Sequence, residues 1–462
     1  MHYEKFADGS VKCIEDEIPF ELPEGWAWTR LQSICSLLTD GTHKTPTYSE
    51  EGYIFLSSKN VTSGVIDWNN IMYIPESLHQ DLYKRLAPQR NDILLAKNGT
   101  TGIAAIVDRD VIFDIYVSLA LIRITDNIID PVYILNSFGS TYVQNYFAGS
   151  LKGIGVPNLH LEQIRNTLLP IPPYSEQNRI CLQLNDLLPL VERITVEKDA
   201  LRELVRNTKS KILDLAIRGQ LVSQDPDDEP ASVLLERIRS EKEALIKAGK
   251  LKRDKKESVI FKGDDNSYYE KIGEDVRCID NEIPFDLPET WAFVRLKHIG
   301  TVIGGGTPKT NVPSFWDGEI PWLTPADLSG YKEIYVSAGE RRITQKGLNS
   351  SSAQLMPAGT VLYSSRAPIG YAAISANPIA TNQGFKSVIP FDFSMSEYLY
   401  YCLQARTPDI EQRATGTTFK EISGSAMAET IIPLPPIAEQ RRIVNCVQSS
   451  VEKLFVVEKQ LN

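Results

Sequence analysis

Histidine is scarce: there are five in 462 residues, at 2, 43, 79, 160 and 298, and none lies within five residues of another. That scatter gives no support to a histidine metal centre or a histidine-based catalytic triad. The cysteines at 13, 35, 181, 278, 402 and 446 form no Cys-x-x-Cys pair and no Cys/His cluster with zinc spacing. They read as scattered reduced thiols, and no metal site is expected. No stretch comes near the roughly 18–20 uninterrupted apolar residues of a membrane span. Met1-His2-Tyr3-Glu4-Lys5 contains no apolar export core, so the expected location is cytoplasmic, with no membrane partner.

Positive charge is also in short supply. Lys and Arg number 49 against 59 Asp and Glu, a net charge of −10, the opposite of the usual footprint of a nucleic-acid binder. The deficit is uneven. Residues 297–425 carry 11 basic against 10 acidic side chains and residues 29–174 carry 11 against 13, so much of the acidity lies in terminal and connecting segments. What is present, 42% hydrophobic and 23% charged residues, is the balance of a soluble globular protein. A chain of 462 residues is too long for one ordinary core, so two or three domains are expected.

An internal repeat organises the sequence. Val11-Lys-Cys-Ile-Glu-Asp-Glu-Ile-Pro-Phe-Glu-Leu-Pro-Glu-Gly-Trp-Ala-Trp-Thr-Arg-Leu31 recurs as Val276-Arg-Cys-Ile-Asp-Asn-Glu-Ile-Pro-Phe-Asp-Leu-Pro-Glu-Thr-Trp-Ala-Phe-Val-Arg-Leu296, identical at 14 of 21 positions. Leu169-Pro-Ile-Pro-Pro-Tyr-Ser-Glu-Gln-Asn-Arg-Ile180 recurs as Ile432-Pro-Leu-Pro-Pro-Ile-Ala-Glu-Gln-Arg-Arg-Ile443, and the two offsets, 265 and 263, nearly agree. The period far exceeds the ~20–50 residues of a solenoid unit, so a whole domain and its tail are duplicated. Between the matched blocks the copies diverge. One shared island is Ile93-Leu-Leu-Ala-Lys-Asn-Gly-Thr-Thr-Gly102 against Val361-Leu-Tyr-Ser-Ser-Arg-Ala-Pro-Ile-Gly370. Similar frames with dissimilar interiors fit two versions of one fold that read two different things, with neutral drift as the bland alternative.

A heptad seam follows each Pro-rich block. Ile180, Leu184, Leu187, Val191, Ile194, Leu201, Val205, Ile212 and Leu215 alternate steps of four and three, with Lys198 and Thr208 in the polar slots. That is the pattern of a helix pairing with another helix. Pro172, Pro173 and Glu176 suit its start and Gly219 its stop, while Pro189 should kink or interrupt it. The second copy carries Ile443, Val447, Ser450, Leu454, Val457 and Leu461 in the same phase. Antiparallel packing of the two helices would relate the domains by a pseudo-twofold axis. Forty-odd helical residues make a rod of about 60 Å, longer than one turn of B-DNA at about 34 Å, and so long enough to space two reading heads. A further helix is expected over 231–246. Lys250-Leu-Lys-Arg-Asp-Lys-Lys256 then opens a polar linker, read as solvated, with phosphate contact as the alternative.

Catalytic motifs fail on inspection. Gly304-Gly-Gly-Thr-Pro-Lys-Thr310 comes close to a P-loop, but Pro308 stands where the phosphate cradle needs glycine. Ile171-Pro-Pro-Tyr174 comes close to an amino-methyltransferase motif, but Ile171 replaces the polar residue that would hold the target amine, and no glycine-rich cofactor loop accompanies it. Asp92 and Lys97 sit at loosely nuclease-like spacing without the second acid. No catalytic residue is assigned.

With these residues in view, the chain resembles the specificity subunits of type I restriction–modification systems. The resemblance is carried by Asp40-Gly-Thr-His-Lys-Thr-Pro46, by Gly305-Gly-Thr-Pro-Lys-Thr310 with Ile320-Pro-Trp-Leu-Thr-Pro-Ala-Asp-Leu328, by the Pro-rich exits with Glu176-Gln177 and Glu439-Gln440, and by Ala216-Ile-Arg-Gly-Gln-Leu221. It implies a mixed α+β chain of two α/β target-recognition domains in tandem, separated by long antiparallel coiled-coil helices. The expected boundaries are 1–174 for the first recognition domain, 175–250 for the central helical spacer, 251–285 for a linker, 286–437 for the second domain and 438–462 for a C-terminal helix. It also implies a non-catalytic subunit that reads a bipartite duplex DNA site and joins two methyltransferase (modification) subunits and motor-nuclease (restriction) subunits. S-adenosylmethionine and ATP would belong to those partners, with no cofactor on this chain. The first copy runs on well past Leu201 whereas the second stops at Asn462, a departure that leaves the coiled-coil length open.

Direct readout needs Arg or Lys for guanine and Asn or Gln for adenine, on loops that reach base edges. His43, Lys44, Thr45, Lys59, Asn60, Lys97 and Asn98 are the candidates in the first domain, where Gly41, Gly64 and Gly102 should place them at the surface. Lys309, Thr310, Arg366, Gln383, Lys386, Thr418 and Lys420 are the candidates in the second, with Arg366 aligned to Asn98. The seam residues Ile180, Leu184, Leu187, Val191, Ile194, Leu201, Val205, Ile443, Val447, Leu454, Val457 and Leu461 are expected to pack helices or dock partners. Two other readings stay open on the residues alone: a methyltransferase-like enzyme acting by itself, and a duplicated interaction scaffold with no DNA role.

Overall fold

The structure, a computed structural model, describes residues 1–125, 128–151, 158–249, 251, 253, 257–416 and 420–461. It forms two units, Met1–Thr195 and Val196–Asn462. The strands of the first are β1 (Tyr3–Lys5), β2 (Val11–Cys13), β3 (Ala27–Arg30), β4 (Cys35–Asp40), β5 (Tyr53–Leu56), β6 (Met72–Ile74), β7 (Ile93–Ala96), β8 (Ala104–Ile106), β9 (Phe113–Ile115), β10 (Leu119–Ile124) and β11 (Leu168–Ile171). Its helices are α1 (Glu76–Arg85), α2 (Pro131–Phe138), α3 (Thr141–Gly149), α4 (Leu161–Arg165) and the start of α5 (Tyr174–Ile217). The second unit holds β12 (Ser258–Lys262), β13 (Tyr268–Ile272), β14 (Asp275–Cys278), β15 (Ala292–Arg295), β16 (Gly300–Gly304), β17 (Trp316–Leu323), β18 (Tyr335–Val336), β19 (Arg341–Ile343), β20 (Val361–Ser365), β21 (Ile369–Ser375), β22 (Ala380–Thr381), β23 (Lys386–Pro390) and β24 (Ile431–Leu434). With them are α6 (Ala231–Lys247), α7 (Leu296–Ile299), α8 (Gln345–Asn349), α9 (Ser396–Ala405), α10 (Thr407–Gln412), α11 (Gly424–Ala428) and α12 (Ile437–Gln460). Both units are mixed α/β, and among the described residues no helix is long and apolar enough to cross a membrane.

The duplication is legible in the sheets. Order β4-β10-β7-β8 in the first unit matches β16-β23-β20-β21 in the second, and β6-β5-β9 matches β19-β17-β22. The central strands are apolar on both faces because each face meets a core. Ile93, Leu95, Ala120 and Ile122 pack toward Ile134, Phe138 and Phe147 of α2 and α3, while Leu94, Ala96, Leu119 and Leu121 join Leu56, Phe113 and Ile115. This is the period-2 alternation of a strand buried on both sides.

The repeated sequence blocks meet in space and clasp each domain. β3 pairs with β11 and β15 with β24, both antiparallel. Tyr133 Oη donates to Pro170 O and Tyr398 Oη to Pro433 O, each at 2.6 Å. The glutamine of each Glu-Gln pair is buried and donates to a Pro carbonyl five residues back, Gln177 to Pro172 O and Gln440 to Pro435 O, each at 3.0 Å. The Pro-rich exits thus need the glutamine to satisfy carbonyls that proline leaves without a ladder.

Three expectations are corrected. Residues 251–285 are not a linker throughout: β12, β13 and β14 form an antiparallel sheet there, and of the basic run Lys250–Lys256 only Leu251 and Arg253 lie among the described residues. Pro189 does not interrupt α5, which runs through it; that stretch is solvent-exposed, so water can take up the carbonyl that loses its partner. The seam is not uniform either. Ile443 and Val447 are fully buried in the second unit's core and Val205 is buried beside α12, whereas Leu187, Val191, Ile194, Leu201 and Val457 are exposed, and Ile180, Leu184, Leu454 and Leu461 are half-buried. Within the second unit the end of α12 runs antiparallel to α5, with Arg202 Nη2 donating to Leu461 O at 2.8 Å and Lys209 pairing Glu458 at 2.8 Å.

A charged node repeats below each clasp. Hairpin β1–β2 aligns Glu4 with Lys12, and β13–β14 aligns Glu270 with Arg277, so the duplication begins before Val11. Arg30 pairs with Glu4 and Glu17 at 2.9 and 2.8 Å, and Arg295 with Glu270 and Glu282 at 2.8 and 2.7 Å. Among the described residues only the second unit's sheet has a third strand, β12, and Glu270 beside it is 1% exposed. Burial would raise the Glu270 pKa, but hydrogen bonds from Arg295, Ser258 and Arg277 outweigh it and hold the carboxyl down to about 2. All six cysteines are free thiols, and burial pushes Cys35 and Cys402 up to about 12, in keeping with unreactive thiols.

Candidate nucleic-acid interface

In the first unit the candidates gather where β4, β7 and the loop before β10 converge. Gly41 has no room for a side chain: a Cβ there would lie 2.0 Å from Ile115 O. This close approach turns the chain outward, and His43, Lys44 and Thr45 stand exposed. Ser58 N donates to Ser118 Oγ at 3.0 Å and Lys97 N to Ser118 O at 2.8 Å, which brings the exposed Lys59 loop to the same corner. Asn98 is half-buried and bridges Asn158 through the backbone.

Surface placement fails for two candidates. Lys97 is 5% exposed, its Nζ 2.5 Å from Asp40 Oδ2. Leaving that carboxylate alone in the interior would cost more than a surface contact gains. Asn60 is buried as the cap of a one-turn helix, accepting from Ser57 N at 2.9 Å and donating to Asn70 O at 3.0 Å. Asp327 accepts from Thr324 N at 2.7 Å in the same way in the second unit, so the position is a structural cap in both. Asp92 is held by Arg123 at 2.7 Å, not by Lys97, which removes the nuclease-like pairing. Among the described residues no three potential metal ligands cluster.

In the second unit the described candidates form one patch. Lys309, Thr310, Gln383 and Lys420 are exposed. Thr307 Oγ1 donates to Gln383 Oε1. Lys386 Nζ donates to Ser365 Oγ at 3.3 Å and Gln383 O at 3.4 Å, and Glu421 bridges it to Arg366 at 3.1 and 3.5 Å. Thr418 lies outside the described residues. The bridge Arg366–Glu421 stands where Asn98–Asn158 stands in the first unit, so the same backbone contact carries a charged pair in one copy and two amides in the other.

Sequence reasoning missed the groups that hold these loops. Asp40 was read only as part of a phrase, and Ser118 and Glu421 carried no signal of their own. Trp316 and Trp322 lie under the Gly305–Thr310 loop and donate to its carbonyls, Lys309 O at 3.2 Å and Gly306 O at 2.9 Å. Their spacing in β17 was a visible sign. The patches are built of amides, hydroxyls and cations on rigid frames, which suits hydrogen bonding to base edges and phosphates.

Comparison with known proteins agrees with this architecture. A family model described as the type I restriction modification DNA specificity domain matches residues 23–202 and 288–462. The specificity subunit of type I restriction enzyme MjaIX from Methanocaldococcus jannaschii is 44% identical over 178 residues, which are 38% of this chain and 41% of that protein's length. The EcoAI specificity subunit of Escherichia coli is 25% identical over 511 residues, covering 95% of this chain and 79% of its own. A solved chain from work on complex assembly and conformational transition of the type I R-M system has a TM-score of 0.59 at 21% identity, covering 96% of this chain and 94% of its own, a likeness of fold. With both matched stretches falling on the two duplicated domains, the chain belongs to the type I restriction–modification specificity family and carries its DNA specificity domain twice.

Proposed function

We propose that this chain is the sequence-reading, non-catalytic subunit of a type I restriction–modification complex, acting in the cytoplasm. Each unit reads one half of a bipartite duplex site, and helices α5 and α12 act as a coiled-coil spacer that fixes the separation of the halves and docks two methyltransferase subunits. The domain limits follow the sequence reading, with β12–β14 added to the second domain in place of a linker. Motor-nuclease subunits complete the restriction enzyme, and S-adenosylmethionine and ATP are bound by those partners.

The observation that carries this reading is the paired bridge, Asn98–Asn158 in one unit and Arg366–Glu421 in the other. A common frame with exchanged hydrogen-bonding side chains is what two heads with different targets require. Incubation of the chain with duplex DNA and labelled S-adenosylmethionine, with and without type I modification subunits, tests the proposal. Methyl transfer is expected only in the assembled complex. Transfer by the chain alone would overturn it, and failure of the assembled complex to bind any duplex selected from a randomised pool would leave only a scaffold role.

A further inference from the structure

Arg341 occupies an unusual position in the second unit. Its guanidinium carbon lies 3.5 Å from the centroid of the Trp316 ring, and the same indole donates to Lys309 O. Trp316 is in turn buried edge-on against Trp322, at 5.2 Å between centroids. One rigid aromatic pair therefore carries the Gly305–Thr310 loop and the cation together.

Most arginines of this unit are committed to carboxylates: Arg277 and Arg295 to Glu270, Arg366 to Glu421, Arg406 and Arg413 to Asp409, Arg442 to Asp228. Arg341 is exposed, and among the described residues its side chain makes neither an ion pair nor a hydrogen bond. Glu340 precedes it in the chain, and Asp317 and Glu319 lie on the paired strand β17, yet none closes a pair with it. Stacking on an indole satisfies the face of a guanidinium and leaves its N–H edge open, and a bidentate N–H edge matches a phosphate. The corresponding residue of the first unit is Met72, opposite Phe55 as Arg341 is opposite Trp322. That unit's own stacked arginine, Arg109 over Trp68, is tied to Asp108 at 3.2 Å. Among the described residues the uncommitted, stacked arginine is thus found in the second unit and not in the first.

We infer that Arg341 is a DNA-phosphate contact of the second unit, which anchors the Trp316-held loop on the backbone while the Arg366–Gln383–Lys386 patch faces the bases. The inference builds on the proposed DNA-reading function. A phosphate contact contributes equally to every sequence and releases counterion, whereas a base contact discriminates between sequences.

The test uses the chain assembled with its modification subunits, a duplex selected by the wild-type complex from a randomised pool, and an unrelated duplex of equal length. Kd is measured for both from 50 to 300 mM salt. Arg341→Gln should weaken both duplexes by the same factor, roughly threefold to tenfold, and reduce the slope of log K against log salt by about 0.9. Arg341→Lys, which keeps the charge, should keep the slope. Unchanged binding and slope in Arg341→Gln would overturn the assignment while the DNA-reading function stands. Loss confined to the selected duplex with an unchanged slope would also overturn it, since that marks a base contact. Absence of DNA binding by the wild-type complex would overturn the function itself, and the assignment with it.

Discussion

Replacing Glu270 by Gln removes one charge from a deeply buried ionic node, in which the Arg295 and Glu270 side chains are 4% and 2% exposed. Its carboxylate accepts from Ser258 Oγ at 2.6 Å, from Arg277 Nη2 at 2.6 Å and from Arg295 Nη2 at 2.8 Å. Folding lowers its pKa from the ordinary 4.5 to about 2. At ~1.4 kcal/mol per unit, that fall corresponds to about 3 kcal/mol of stability at neutral pH. Breaking a buried ion pair costs about 3–5 kcal/mol by a separate route, since Arg295 is left under-compensated in the interior, and the two figures agree. The sign is that of a depressed carboxylate: the contribution is complete above pH 4.5 and lost as the pH falls toward 2. Glu4 holds the same register in the first unit but is 21% exposed and lacks a covering strand, so Glu4→Gln should cost about 1 kcal/mol. Hydrogen exchange of the 258–278 segment for Glu270→Gln and of the 3–13 segment for Glu4→Gln, with urea titrations from pH 7 to pH 3, measures both. Equal costs for the two variants would refute the account. So would a Glu270→Gln deficit that stays undiminished at pH 3.

Other outcomes follow from placement. Ile443→Ala, at a fully buried position, should destabilise by about 2–4 kcal/mol, while Val191→Ala, 58% exposed, should stay within about 0.5 kcal/mol; a reversed order in urea titrations would show the seam misassigned. Lys97→Met should cost about 3 kcal/mol by stranding Asp40, and Asp40→Asn in the same chain should recover part of it; a purely additive double-variant result would deny the pair its coupling. Arg366→Ala should weaken DNA methylation by the assembled enzyme and leave assembly intact, and unchanged methylation of the native site would remove Arg366 from the reading patch.

The duplication and the Pro-rich clasps were legible because they are written in contiguous residues, as were the candidate loops, which the structure places but whose role is part of the proposal. The β1–β2 hairpin was not legible, since its turn, residues 6–10, is longer than the 273–274 turn of β13–β14 and its strands are three residues long. The supposed linker hid β12 because its pattern is inverted: Ser258 is buried against Glu270 while Val259 and Phe261 face out. Apolar alternation alone assigns such a strand to the wrong face or to none. Lys97 and Asn60 were misplaced because their long-range or capping partners, Asp40 and Ser57, cannot be recognised from residue type. Seam residues were correctly periodic, but periodicity does not say whether a helix buries its stripe in a domain core, as at Ile443, or leaves it open, as at Val191.

The tryptophan pair under Gly305–Thr310 bears on the timing of recognition as well as its strength. Both indoles hold main-chain oxygens, and Gly306 is seated so tightly that a Cβ would fall 2.4 Å from Ala353 N. A loop ordered before encounter gives up little conformational entropy when it docks. On the proposed DNA-reading function, such a loop would let non-target sequence be tested quickly, and discrimination between bases would then lie in how long the complex survives rather than in how quickly it forms.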